Sequence, residues 1–290
     1  MDKWFKEDSN KKNVYFNKSN IFRTISLTNW IIILNILIYI LVSVLIYFIG
    51  EQKVLYWFAL SPNVLFSGAI WQLFTSFFTH IWFPHLLFNM ISLFFIGNFV
   101  EKIIGRKRFL RFYLVAGVFA GLFFAILSFW FGSGIGEKIF LSPSEYSVGA
   151  SGALFALLGI LAILTPYSKV YLIAGPLIAI IIQSFLSYFY PNLTFLSVFN
   201  VLITFYFIAS IFSIFSFNST IRKIAIPIEM PIWLLPIVAI IPLIIIGLIL
   251  PLPIGNMAHL GGLLVGLAYG LYIKKKYKRK SLMISRYFLK

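Results

Sequence analysis

Few side chains in this 290-residue chain can hold or move a proton near neutral pH. There are three histidines, His80, His85 and His259, and no cysteine. Thiolate catalysis, disulfides and cysteine metal sites are therefore excluded. One hydroxyl stands out by its surroundings. Ser151 lies in SVGASGALFALLG (147–159), where an apolar, helix-sized run opens on a serine between Gly149 and Gly152. Each glycine weakens a helix by ~1 kcal/mol relative to alanine. Close approach of another helix would explain them, and so would chemistry at the serine. A serine attacks only when a base takes its proton, and a neutral histidine within hydrogen-bond reach is the usual base. A serine at a helix start also has backbone N–H groups without intrahelical partners, which can stabilise an oxyanion. His85 and Asn89 are four residues apart, hence on one helix face, and offer further donors. The soluble elbow G-x-S-x-G does not fit, because Ala153 stands in place of its last glycine and no strand precedes it. H-E-x-x-H, the zinc-protease signature, is absent.

The elements that must carry these residues are membrane helices. The chain is 61% hydrophobic and 11% charged, with mean hydropathy +0.96, far outside the soluble range. A crossing needs ~20 apolar residues. Eight are expected, near 29–49, 82–100, 109–132, 148–165, 170–190, 193–217, 231–250 and 256–273. The stretch 51–81 is apolar but broken by Pro62 and Gly68 and carries Trp57 and Trp71, as suits a loop partly sunk in the membrane surface. The fold class is an all-α polytopic bundle. One membrane domain, 29–273, follows an acid-containing tail, 1–28, and precedes a basic tail, 274–290.

The cations orient the threading. With both termini cytoplasmic, 22 of the 24 Lys/Arg fall on one side, leaving Lys53 and Lys138 on the other. The formal charge of +16 is thus topological and does not point to nucleic acid, for which no motif is present. The KKKYKRK run at 274–280 is also placed to touch anionic lipid head groups.

Spans two, four and eight all run inward from outside. His85, Ser151 and His259 each fall in the first few residues of their span, at one depth ~5–10 Å below the outer boundary. Gly262, Gly266 and Gly270 form a four-residue stripe on span eight. Such stripes let helices approach closely, and Gly149-Ala150-Ser151-Gly152 is equally small. Two bare surfaces would bring Ser151 beside His259. Taken singly, each feature has a plainer meaning: a packing serine, an interfacial histidine, Asn89 as interhelical glue. Their coincidence at one depth, in a chain with three histidines, favours chemistry.

These residues resemble the rhomboid family of intramembrane serine proteases. WQLFTSFFTHIWFPHLLFNM (71–90) is similar to the family's outer loop and H-x-x-x-N second helix, and VEKIIG (100–105) to that helix's end. GASG resembles the G-x-S-G nucleophile motif, and AHLGGLLVG (258–266) the A-H-x-x-G-x-x-x-G motif. The resemblance implies a six-helix core with about two extra spans. It implies Ser151 as nucleophile, His259 as general base and then acid, and His85 and Asn89 in the oxyanion hole with the Ser151 N–H. It further implies peptide-bond hydrolysis in or near transmembrane helices of protein substrates, with no metal or cofactor.

Three departures accompany it. Gln72 stands where the family often has arginine, which alters the anchoring of the outer loop. Phe155 replaces a tyrosine expected under the catalytic histidine, keeping the ring and losing the hydroxyl. Three spans, in place of one, separate Ser151 from His259. Three is odd, so His259 still enters from outside. The extra pair is either an insertion flanking the core or partly re-entrant. The alternatives are a client-binding rhomboid-like pseudoprotease, disfavoured because both Ser151 and His259 are present, and a polytopic transporter, disfavoured because no carboxylate lies at the midplane.

Overall fold

A computed structural model describes residues 25–190, 195–214, 216, 218–249 and 255–287. Nearly all of the expected N-terminal tail lies outside them. Helix α1 (Leu27–Ile49) begins where Ser26 Oγ accepts from Asn29 N–H at 3.1 Å. That cap satisfies one orphan donor. Glu101, far away in sequence, satisfies two more: its carboxylate accepts from Leu27 N–H at 3.0 Å and Thr28 N–H at 2.8 Å, and from Thr28 Oγ1 at 2.7 Å. The carboxylate is buried and favoured there by the helix dipole.

After α1 the outer loop is more regular than the sequence suggests. It holds α2 (Glu51–Phe58), α3 (Pro62–Phe66), α4 (Gln72–Thr75) and a 3-10 turn at Ser76–Phe78. Next comes α5 (Phe83–Ile104), with a π turn over Leu93–Gly97. At Gly97 a β-carbon would sit 2.7 Å from the Thr28 methyl, so α1 leans directly on the turn. Gly105, at φ 85°, reverses the chain into α6 (Arg106–Phe131). The short α7 (Glu137–Phe140) and an irregular stretch lead into α8 (Ser151–Leu164).

The all-helical expectation needs one correction. Residues 170–173, expected to open the fifth span, instead belong to strand β1 (Lys169–Ile173). The chain continues through α9 (Ala174–Phe189), α10 (Leu196–Ile214) and α11 (Ser219–Arg222) to β2 (Pro227–Pro231). The strands pair antiparallel with Lys169 opposite Pro231 and Ile173 opposite Pro227. β-Branched and aromatic residues in Lys169-Val-Tyr-Leu-Ile173 favour this local choice. Glu229 ties the ribbon to Lys169 Nζ at 2.7 Å and accepts from Tyr171 Oη at 2.9 Å. Hydrogen bonds from Lys169 and Tyr171 hold its carboxyl below the usual range. The chain then enters α12 (Leu235–Ile249), α13 (Asn256–Lys276) and α14 (Lys278–Tyr287). The basic stretch expected as a tail is thus helical through Tyr287.

Among the described residues, α1, α5, α6 and α13 are long and apolar enough to cross a membrane, and shorter apolar helices include α8 and much of α12. Large apolar side chains are exposed along their outer faces, with Leu37 at 59% and Phe48 at 74% on α1. An outer surface this apolar is stable against lipid and not against water.

At the centre α8 and α13 pack backbone to backbone, with α6 behind them. A β-carbon at Gly262 would collide with the Gly152 carbonyl, and one at Gly266 with the Ala156 carbonyl. From the other helix, a β-carbon at Gly159 would lie 2.8 Å from the Leu263 carbonyl oxygen. On the far side α12 covers α8 and α13 through Ile240, Phe155 and Leu158. Helices α9 and α10 pack on each other and on the turn before β2, with Tyr206 Oη donating to the Ile224 carbonyl at 2.9 Å.

The Glu101 clamp makes a direct prediction. Glu101→Gln brings an amide donor among three donors and should cost about 1–3 kcal/mol, read as a lower thermal unfolding midpoint of the purified protein in detergent.

Candidate active site

Ser151 is the first residue of α8, and the turn that delivers it is tightly constrained. Leu60 and Ser147 exchange backbone hydrogen bonds, both at 2.9 Å, and Gly149 N–H donates to the Ser76 carbonyl at 2.9 Å. These bonds tie the strand-like approach to the outer loop. Gly149 has φ 116°, and a β-carbon there would lie 2.5 Å from His85 Cε1 and 2.7 Å from Nε2. Two constraints therefore require glycine: a backbone conformation L side chains rarely adopt, and an imidazole against its face.

Ser151 Oγ lies 2.7 Å from His259 Nε2, a bond spanning 108 residues. His259 is the fourth residue of α13 and is buried. Its ring stacks on Phe155 with centroids 4.6 Å apart and planes at 22°. Phe155 stands one helical turn after Ser151, so one helix supplies both the hydroxyl and the platform beneath the imidazole. Among the described residues no protein group accepts from His259 Nδ1. The geometry is therefore a pair, with no carboxylate as a third member. With Nε2 accepting from the hydroxyl, the neutral ring carries its proton on Nδ1.

His85 and Asn89 lie on α5, across the Gly149 turn from Ser151. Asn89 is buried, and its Nδ2 is 3.0 Å from His80 Nε2. His80 also faces the Ala150 N–H at 3.5 Å and packs edge-on to His85 at 5.1 Å between centroids. His80 lies in the loop before α5 and is fully buried. Burial, with His85 alongside, pushes its imidazole down to about 3. It stays neutral and accepts the Asn89 amide. That leaves Asn89 one N–H for other use.

The four residues singled out from the sequence thus converge. Ser151 and His259 touch, while His85 and Asn89 wall the same turn. His80 is the partner the sequence did not assign. No periodicity could find it, because it precedes the helix that carries His85 and Asn89 and reaches back from a loop. The only signal in the sequence is its position in an apolar stretch.

A family model described as Rhomboid domain matches residues 67–203 and 203–276. The chain belongs to the rhomboid family. Rhomboid protease GluP of Bacillus subtilis (strain 168) is 38% identical over 99 residues, covering 34% of this chain and 17% of GluP. Putative rhomboid protease YdcA of the same strain is 35% identical over 95 residues, 32% of this chain and 41% of YdcA. Rhomboid protease GlpG of Salmonella newport (strain SL254) is 29% identical over 154 residues, 51% of this chain and 49% of GlpG. Each match spans less than half of the relative's length.

Within this rhomboid the Gln72 departure has a structural account. Gln72 is fully buried; its Nε2 donates to the Tyr56 carbonyl at 2.7 Å and its Oε1 accepts from Ser61 N–H at 3.1 Å. A neutral amide thus bridges α2 to the segment before α3. Trp57 and Trp71 stack outside it at 5.4 Å.

The Gly149 constraint is measurable without any activity. Gly149→Ala should cost about 1–3 kcal/mol of stability. Gly68→Ala, also at positive φ but with nothing within 4 Å of the new methyl, should cost less. The difference in unfolding midpoints reports the His85 contact.

Proposed function

We propose that this rhomboid is an intramembrane serine endopeptidase that hydrolyses peptide bonds in or near transmembrane helices of membrane-protein substrates. The observation that carries the reading is the 2.7 Å contact between Ser151 Oγ and His259 Nε2 at the start of two helices. His259 takes the hydroxyl proton as Oγ attacks the scissile carbonyl. The oxyanion forms beside the Ser151 N–H, the free Asn89 N–H and His85. His259 then returns the proton to the leaving amine, and water resolves the acyl-enzyme by the same two steps. Phe155 holds the imidazole flat throughout.

The depth of the site follows from helix length. Helix α8 has 14 residues, about 21 Å, against a hydrocarbon core of ~30 Å. A helix that short cannot reach both faces of the core; with Leu164 at the cytoplasmic level, its first residue lies below the outer surface, and water reaches it from the outer face. A substrate carbonyl in a helix is hydrogen-bonded to its own backbone, so the substrate unwinds locally before attack.

We further propose eight crossings, with α9 and α10 as an added pair and both termini cytoplasmic. The charge asymmetry supports this orientation, and the dyad sits at the end of α13 opposite Lys274, Lys275 and Lys276.

Cleavage of a single-span test substrate by the purified protein in liposomes checks the chemistry. Ser151→Ala and His259→Ala should each abolish it, since members of such a pair act as a unit. Asn89→Ala should lower the rate ~10–10³-fold, and a zinc chelator should leave it unchanged. Residual wild-type-like cleavage in Ser151→Ala refutes the assignment. Because the chain has no cysteine, single cysteines at Lys169 and Lys278 report topology directly. Both should react with an impermeant reagent from the cytoplasmic side only.

A further inference from the structure

A cavity of about 630 Å³ opens at the end of the bundle opposite the dyad. It lies between the end of α5, the start of α6, the last residue of α8, the end of α13 and α14. Five cations line it: Lys102, Arg108, Arg111, Lys276 and Lys280. Among the described residues no acidic side chain does so. Neighbouring Glu101 is committed to the start of α1. Two of the cations are held in place. Arg108 donates to Tyr277 Oη at 2.9 Å, with its guanidinium 5.1 Å from that ring's centroid. Lys276 Nζ reaches Tyr272 Oη at 2.7 Å. The rest of the wall is apolar, with Ile103, Leu164, Ile273, Met283 and Ile284.

We infer that this cavity binds the phosphate ester of an anionic phospholipid from the cytoplasmic leaflet. Convergent cations with no acid among them call for an anion. Arginine matches phosphate oxygens in bidentate fashion. The apolar wall runs on from the charged floor, as an acyl chain leaving the head group requires. Tyrosines Tyr269, Tyr272 and Tyr277 mark the interfacial level. A choline head group would bring a cation among five others, so zwitterionic lipid is disfavoured. The lipid would bridge both helices of the dyad at their far ends, since Leu164 closes α8 and Ile273 lies on α13. The inference does not depend on proteolysis; its choice of leaflet rests on the proposed orientation.

The test is thermal unfolding of the purified full-length protein in detergent with three probes: phosphatidylglycerol, phosphatidylcholine and glycerol 3-phosphate. Phosphatidylglycerol should raise the midpoint by roughly 5 °C at a hundredfold excess over Kd, and the other two should not. The shift should disappear in Arg108→Gln/Arg111→Gln and persist in Lys274→Gln/Lys275→Gln, which removes equal charge from exposed positions outside the cavity. Lys102→Gln/Lys280→Gln repeats the test if the arginine pair lowers stability on its own. An equal shift from phosphatidylcholine, or a loss of the shift in the Lys274/Lys275 pair, overturns a specific site. A full shift from glycerol 3-phosphate overturns the lipid and leaves a site for a free phosphate.

Discussion

Helices α8 and α13 touch through their backbones, and the rest of the molecule is arranged around that contact. At Gly262 and Gly266 there is no room for a single added carbon against the facing carbonyls. In lipid the hydrophobic effect does not press helices together, so association depends on close van der Waals fit and on polar contacts made at short range. Glycine and alanine supply the fit. Once the two axes are this close, a serine at the start of one helix and a histidine one turn into the other fall within hydrogen-bond distance. The glycines around Ser151 therefore have two separate causes. Gly152 yields its side-chain space first to Ala120 of α6 and next to the Ala258 carbonyl of α13, whereas Gly149 turns the chain and yields its side-chain space to His85.

A second layer of polar groups holds this arrangement where water is scarce. Gln72 clips α2 to the loop, His80 accepts the Asn89 amide, and the Gly149 N–H is bonded to Ser76. Each is a buried group whose unpaired state would cost more than the bond returns. The outer loop is thus a fixed lid of short helices over the start of α8. At the opposite face Glu101 secures α1, and a basic cavity joins the far ends of α8 and α13. The proposed dyad is sunk at one end of these helices and the proposed lipid site lies at the other.

The additional hairpin alters the periphery more than the centre. Helices α9 and α10 sit on a β-ribbon that stands away from the site, and α12 takes the place beside α8 and α13. In the proposed topology an odd number of crossings between Ser151 and His259 keeps α13 running inward whether that number is one or three. A pair of crossings added there is therefore compatible with the same core. An apolar run with β-branched residues reads equally as a span, and only pairing with a strand 58 residues away separates the two.

Much was legible from the sequence alone. The apolar runs define a multi-spanning chain, because lipid admits few backbone arrangements, and the cation asymmetry predicts its direction, because misplaced charge is penalised. Residue types near one depth identified Ser151, His259, His85 and Asn89 as a group. Tertiary structure decided what one-dimensional spacing does not encode. It set the distance between Ser151 and His259, the stacking of Phe155 under the imidazole, the pairing of His80 with Asn89, and the gathering of cations from α5, α6, α13 and α14 around one cavity. Periodicity states which face of a helix a residue occupies. Which helix that face meets depends on side-chain volumes summed over the whole bundle, and here on the carbons that glycine leaves out.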